Sequence, residues 1–309
     1  MLKLSKIKTY PVKKRFSKVE LADFAKPPAK GRSFANFLSG LPNILKAKDI
    51  NFIAREVVSA HRRKKAVILM AGAHVIKCGL NPVIAELFKK KLISCVCLNG
   101  AGIIHDFELA YQGRTSEDVG ENLKTGKFGM GKETAEFLNN AVNHGVSSGL
   151  GLGESVALAI FKARLPYKEF SLLYNAHKYG VPVYVFVAIG TDIIHQHPSF
   201  NAALTAEGSH KDFLSLVERI ASINNGGVVL NFGSTVIMPE VFLKALNLSR
   251  NMGERVENFT TANFDMIHHY RPIQNIVTRP VASSGKGFYI IGHHEINLPL
   301  LAQAIVDKI

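Results

Sequence analysis

The chain has 309 residues, 47% of them hydrophobic and 20% charged, which is enough for one large α/β domain with an extension. No 18-residue uncharged apolar run occurs, so no transmembrane helix is predicted, and the basic N-terminus lacks the apolar core of a secretory signal. The net charge of +14 is uneven: the first 65 residues carry 17 Lys or Arg against 4 acids, the other 244 carry 21 against 20.

In chain order, residues 1–34 read as an irregular basic arm, and residues 35–309 as a single domain. Such an arm suits an acidic partner or a neighbouring subunit. Nucleic acid is not expected, because the arm shows no regular pattern of aromatic and base-reading residues interleaved with the charge. From Ala35 to about His61 the apolar spacing is helical, interrupted near Gly40 and Pro42. Then apolar runs and amphipathic segments alternate. "KAVILMAG" reads as a buried strand and "NPVIAELFKKK" as a helix with Pro82 in its first turn. "SCVCLNGAG" reads as a strand and its loop, and "TSEDVGENLKTG" as a helix with a Ser/Thr-type cap. "KETAEFLNNAVNHG" and the segment after "GLGLG" read as two more helices. "VPVYVFVA", "GGVVLNFG" and "GFYIIG" are further apolar strands, with a shorter one near "ENFTTAN".

Continuous Val/Ile-rich strands between helices predict a Rossmann-like α/β domain, its mostly parallel central sheet covered by helices on both faces. The loops after the strands then share one edge, where ligands of open α/β sheets bind. Cys95 and Cys97 alternate on a buried strand, and with Cys78 they read as reduced thiols, which places the protein in the cytoplasm.

Those loops carry the candidate chemistry. "NGAG" at 99–102, "GSTV" at 233–236 and "GLGLGES" each suit backbone contact with a phosphate, without the Gly-x-Gly-x-x-Gly spacing. Asp106, Asp192 and Asp265 follow apolar segments and suit a ribose or an amide; for Asp106 a cap on the helix "FELAYQG" is the alternative. Histidines group at His105, at His195 and His197, at His268 and His269, and at His293 and His294, near loop edges. They suit acid/base work or polar support around a nucleotide. No metal is expected, because neither a His-x-x-x-His helix nor a Cys/His ligand spacing is present.

"NGAGIIHDFELA", "TSEDV", "KFGMGKET", "PVYVFVAIGTD", "TTANFD" and "HHEINLPLLAQAIV" together resemble the deoxyhypusine synthase family, from about Pro11 to the C-terminus. The resemblance implies an NAD-binding fold, a homotetramer and an N-terminal segment that reaches a neighbouring subunit. It implies oxidation of spermidine with NAD and passage of its aminobutyl group through an enzyme lysine. Carried over residue by residue, cofactor contacts fall on His74, on Asn99, Gly100 and Ala101, on His105, on Asp192, on Gly233, on Asp265 and near His293. The family's amine-binding acids fall on His197 and His268, which become the candidate catalytic pair.

The family's lysine lies in a Ser-Trp-Gly-Lys stretch after an Arg-Pro. Here Arg271-Pro272 is followed by no lysine until Lys286, and the chain has no tryptophan. Arginine cannot replace a Schiff-base lysine, since it stays protonated. The implied function is therefore NAD-linked amine oxidation or transfer with a substrate altered from spermidine, and a protein-lysine acceptor is not expected. The alternative is a non-catalytic paralogue that serves as a binding or regulatory subunit. A sirtuin-like deacylase would bring a paired Cys-x-x-Cys zinc site, which this chain lacks.

Overall fold

The computed structural model describes residues 3–309. Six parallel strands form the centre: β1 Val67–Ala71, β2 Cys95–Asn99, β3 Val183–Phe186, β4 Val228–Phe232, β5 Phe259–Asp265 and β6 Gly285–Ile291. Their order across the sheet is β3-β2-β1-β4-β5-β6. The chain therefore builds outward from β1 in one direction and from β4 in the other. A crevice opens where the two directions diverge, outside the carboxyl ends of β1 and β4.

Strand alternation divides the core in two. Val67, Leu69 and Ala71 of β1, with Val96, Leu98, Leu230 and Phe232, join one apolar cluster. Ile68, Met70, Cys95, Cys97 and Val229 join the other. The first face is covered by helices that include Leu45–Arg62, Asn81–Lys89, Gly100–Gln112 and His294–Val306, and the second by Ala202–Ala221 and Ile237–Asn251. Cys95 and Cys97 are free and wholly buried, core residues as their alternation predicts.

Three local expectations are corrected. The strand at "ENFTTAN" is not short: β5 has seven residues and pairs along its whole length with β6. In "TSEDVGENLKTG" only Val119–Lys124 is helical, and Asp118 caps it by accepting from Glu121 N. Thr115 instead turns inward to Glu108, so the apparent cap is recruited by tertiary contacts. Asp106 does cap a helix, but not its own. It lies inside Gly100–Gln112, fully buried, and accepts from Leu172 N at 2.6 Å and Leu173 N at 3.1 Å at the start of Leu172–Tyr179.

The arm makes one-turn helices at Leu4–Lys6, Val12–Lys14 and Leu21–Asp23. Its apolar side chains, among them Leu4, Ile7, Phe16 and Leu21, are exposed. Among the described residues no helix is long and apolar enough to cross a membrane.

Candidate functional site at the carboxyl edge of the sheet

Just beyond β1 and β4 two backbones touch. Gly72 N donates to Phe232 O at 2.9 Å, and a Cβ on Gly72 would lie 2.3 Å from Gly233 O. Gly233 has φ +64° and N–H bonded to Phe264 O, and a Cβ on it would lie 2.5 Å from His294 Nε2. Only glycine permits this double approach. The crevice between the two halves of the sheet is thus lined by bare backbone and one imidazole.

The β4–β6 half supplies Asp265, His293, His294 and Asn297. Asp265 Oδ1 accepts from Met266 N at 2.8 Å and lies 3.8 Å from His269 Nε2, while Oδ2 is buried with no partner. His294 is 1% exposed, and its Nδ1 also lacks a partner. Burial lowers its pKa, partly opposed by the Asp265 carboxylate. His74 meets its ring edge-on at 6.0 Å, and Asn297 Nδ2 is a third buried atom without a partner. Buried polar atoms are nearly always bonded, so three orphans at a strand edge mark a place shaped for other chemistry. His293 itself is exposed and faces Glu295 at 3.9 Å.

The β2–β3 half is built on the helix Gly100–Gln112. "NGAG" is not a loop: Gly100 already begins the helix, and Asn99 caps it by accepting from Gly102 N at 3.1 Å. The anion at this helix start is the protein's own. The Asp192 carboxylate stands over Gly100, where a Cβ would come within 1.9 Å of Oδ2, and takes the Ala101 N–H. Burial nevertheless pushes its pKa up to about 6. His195 Nδ1 accepts from Gly190 N at 3.1 Å and Asp192 N at 3.2 Å, which places its proton on Nε2, 3.8 Å from Asp192 Oδ2. "GLGLGES" is likewise a packing device. A Cβ on Gly153 would strike Val183 O at 2.2 Å, and Gly153 N donates to buried Asp212 at 2.8 Å.

Beside Asp192 lies a cavity of about 250 Å³. Its polar wall is Lys77, His105, Glu108, Glu117 and Asp192, and its apolar wall includes Ile104, Phe128 and Ile193. Glu108 Oε2 accepts from Thr115 Oγ1, whose oxygen accepts from His105 Nδ1 at 2.7 Å. Burial, then the Lys77 charge, lowers His105 to about 4, so its imidazole is neutral. Glu117 is held by Gly129 N at 2.9 Å and Asn122 Nδ2 at 2.7 Å. These bonds fold the exposed segment 114–131 across the cavity mouth.

The structure thus brings Asn99, Gly100, Ala101, His105 and Asp192 together, and separately Gly233 and Asp265, with His74 against His294; His293 stays outside, exposed beside Glu295. It does not bring His197 and His268 together within one chain. His197 Nε2 donates to Gly129 O at 2.8 Å and steadies the covering segment. His268 is exposed and rests on Tyr289, 4.5 Å between rings, past β5. Four strand spacings separate β3 from β5, roughly 19 Å. Sequence reasoning missed Lys77, Glu108, Glu117 and Asn297, and preferred His293 to His294. For Glu108 a signal existed: it stands three residues after His105, on the same helix face.

Lys286 lies at the opposite end of the sheet. It is the second residue of β6, with Nζ 4.3 Å above the Phe52 ring. The stretch that carries the family's lysine is here part of the core. Tyr270–Val281 is a run of short helical turns with a π-helical segment at Ile273–Thr278, Ile276 is wholly buried, and Thr261 Oγ1 donates to Ile276 O at 2.6 Å. Among the described residues no three His, Cys, Asp or Glu side chains are grouped to hold a metal ion.

No protein-family model matches the chain, and no curated protein does. Solved structures do. One described as a "putative deoxyhypusine synthase from Entamoeba histolytica" has TM-score 0.53 at 9% identity, covering 90% of this chain and 94% of that one. A "conserved putative LOR/SDH protein from Methanococcus maripaludis S2" has TM-score 0.51 at 16% identity, covering 86% and 71%. The "ternary complex of AgrE with ornithine and NAD+" has TM-score 0.52 at 14% identity, covering 84% of this chain and 33% of AgrE, so this chain spans about a third of that protein's length. Sheet order and likeness together define the class: a doubly wound, all-parallel α/β domain. More narrowly, the fold is deoxyhypusine synthase-like.

Proposed function

We propose that this protein binds NAD across the crevice between β1 and β4 and acts on a small amine other than spermidine in the cavity beside Asp192. The cavity wall carries this reading. Three carboxylates, Asp192, Glu108 and Glu117, face one lysine, Lys77, across an apolar floor. Such a wall favours a cation with a short hydrocarbon stem, because an amine leaving water needs carboxylate partners. The acids missing at His197 and His268 are thus supplied from other elements.

The residues present fit the cofactor. Asp265 and His294 keep unpaired buried atoms at the carboxyl edge, where Gly72 and Gly233 let the ends of β1 and β4 pack closely beneath the crevice. Bound NAD would supply a hydride acceptor for the carbon beside the amine. Asp192, near pKa 6 and next to His195, is suited to receive the amine's proton at Oδ2. AgrE, crystallised with ornithine and NAD+ and matched over 33% of its length, offers a precedent for an amine and this cofactor in one protein.

Titration of the purified chain with NAD and NADH, followed by a screen of mono- and diamines for NADH formation, tests the reading. Saturable nucleotide binding with amine-dependent NADH formation is the expected result. NADH binding without turnover of any amine would favour the second reading, a non-catalytic subunit, which the misplaced Lys286 motivates. The free cysteines Cys78, Cys95 and Cys97 support a cytoplasmic setting. The exposed apolar side chains of the arm support a homo-oligomer, the tetramer of the resemblance, and light scattering of the full chain measures its size.

A further inference from the structure

The helix Asn81–Lys89 begins on a buried side chain, 3% exposed, that is bonded at one end only. Asn81 Nδ2 donates to Asp106 Oδ1 at 2.9 Å and to Phe170 O at 3.0 Å. Both partners are acceptors, so the amide is held this way round and its oxygen points away from them. Asn81 Oδ1 is buried with no hydrogen-bond partner among the described residues. An amide whose NH₂ is engaged by a carboxylate is polarised, which makes the idle oxygen a stronger acceptor.

Asn81 lines a cavity of about 480 Å³, within the range of small-molecule sites. Pro82, Leu109, Gln112, Tyr167 and Phe170 make most of the remaining wall, and no charged side chain lines it. It shares no lining residue with the cavity beside Asp192. Tyr167 is fixed by its N–H, which donates to Ala110 O at 3.0 Å. Its ring lies against Gly113, where a Cβ would come within 3.2 Å of Cε2. Tyr167 and Phe170 are nevertheless 45% and 59% exposed, aromatic rings that gain by being covered.

We infer that this cavity binds a small neutral aromatic molecule with one O–H or N–H donor, which bonds to Asn81 Oδ1. Tyr167, Phe170 and Leu109 cover its apolar faces. A charged ligand does not suit the wall, because a charge leaving water finds no opposite charge there. A ring without a donor fills the space and leaves the buried oxygen unpaired.

The probe is 2-naphthol, followed by its fluorescence; the chain has no tryptophan whose emission would overlap it. The full chain is titrated with 2-naphthol, with 2-methoxynaphthalene, in which a methyl replaces the donated hydrogen, and with naphthalene, which lacks the oxygen. One 2-naphthol per chain is expected, bound at least tenfold more tightly than either analogue. Naphthalene is the smaller of the two analogues and separates a missing donor from a clash of the methyl. Phe170→Ala is expected to weaken 2-naphthol at least fivefold, and Glu108→Gln, in the other cavity, to leave it within twofold. All three compounds binding within threefold of one another, or none binding saturably, would overturn the site. So would an affinity lost in Glu108→Gln and kept in Phe170→Ala, which would put the probe beside Asp192. The comparison of ligands on the unaltered chain holds even if a variant fails to fold.

Discussion

Asp192 stands on Gly100: a Cβ at residue 100 would lie 1.9 Å from the carboxylate oxygen. A carboxylate at a helix N-terminus does what a bound phosphate does elsewhere. The same arrangement recurs twice. Asp212 meets Gly153 N, and Asp106 meets Leu172 N and Leu173 N. Three helices therefore start on a buried aspartate from a distant part of the chain, and the glycines that look like phosphate turns at two of them admit the aspartate.

Gly100→Ala should consequently displace the loop that carries Asp192 and His195. We expect a loss of about 1–3 kcal/mol in urea unfolding, the usual range for overpacking, together with weaker NADH binding. Gly120→Ala is the matched control. Its Cβ would meet only Asp118 Oδ1, at 3.4 Å, within the helix Val119–Lys124. Stability there should stay level or rise by about 0.5–1 kcal/mol. Equal losses at both positions would show that the Asp192 contact is immaterial.

The aspartates also set a pH dependence. Burial raises Asp212 to about 7, and Asp106 and Asp192 to about 6. A carboxyl whose folded pKa exceeds its unfolded value holds its proton more tightly when folded. Its stabilisation is complete below the unfolded value near 4 and is lost as pH rises through 6 to 7. The three aspartates should therefore lower stability between pH 4 and pH 7.5, opposed up to about pH 6.5 by His105, whose lowered pKa disfavours the folded state in acid. Asp212→Asn should flatten that slope and gain on the wild type by roughly 2–4 kcal/mol between pH 5 and pH 8. Urea melts across this range decide it: parallel pH curves for the two proteins would refute the raised pKa.

Amine recognition can be weighed one charge at a time. Glu108→Gln and Glu117→Gln should each weaken a bound amine by about tenfold, the equivalent of a charge-assisted hydrogen bond of ~1.4 kcal/mol. Lys77→Met should strengthen it. Calorimetric titration of a hit from the amine screen gives the three affinities. An amine insensitive to all three substitutions does not bind in this cavity.

The covering segment hangs on few bonds. Glu117 accepts from Gly129 N and Asn122, and His197 holds Gly129 O. Glu117→Ala should speed trypsin cleavage at exposed Lys124 or Lys127 severalfold, with a change in global stability under ~1 kcal/mol, because only a local opening becomes easier. Unchanged cleavage would mean that Glu117 does not tie the segment down.

Much of the architecture was legible in the residues. Apolar runs such as "VILMA" and "CVCLN" are buried on both faces, and that burial leaves a continuous hydrophobic signature. β5 was underestimated because "FTTANFD" is rich in Thr, Asn and Asp, yet all seven residues are buried. Its polar side chains bond inside the core, Thr261 to Ile276 O for one. Of the site, the strand-end positions Asn99, Asp192, Gly233 and Asp265 were visible because carboxyl-end loops share an edge.

The sequence by itself therefore determined the strands, their common direction and the edge that carries the chemistry, since these follow from local periodicity and right-handed crossovers. Only the tertiary structure decided which loops meet. Asp192 reaches Gly100, Glu117 closes over Glu108's cavity, and His294 rather than His293 turns inward to Gly233. The order β3-β2-β1-β4-β5-β6 brings residues many positions apart in the chain within hydrogen-bonding distance, and no local pattern of residues records which of them will touch.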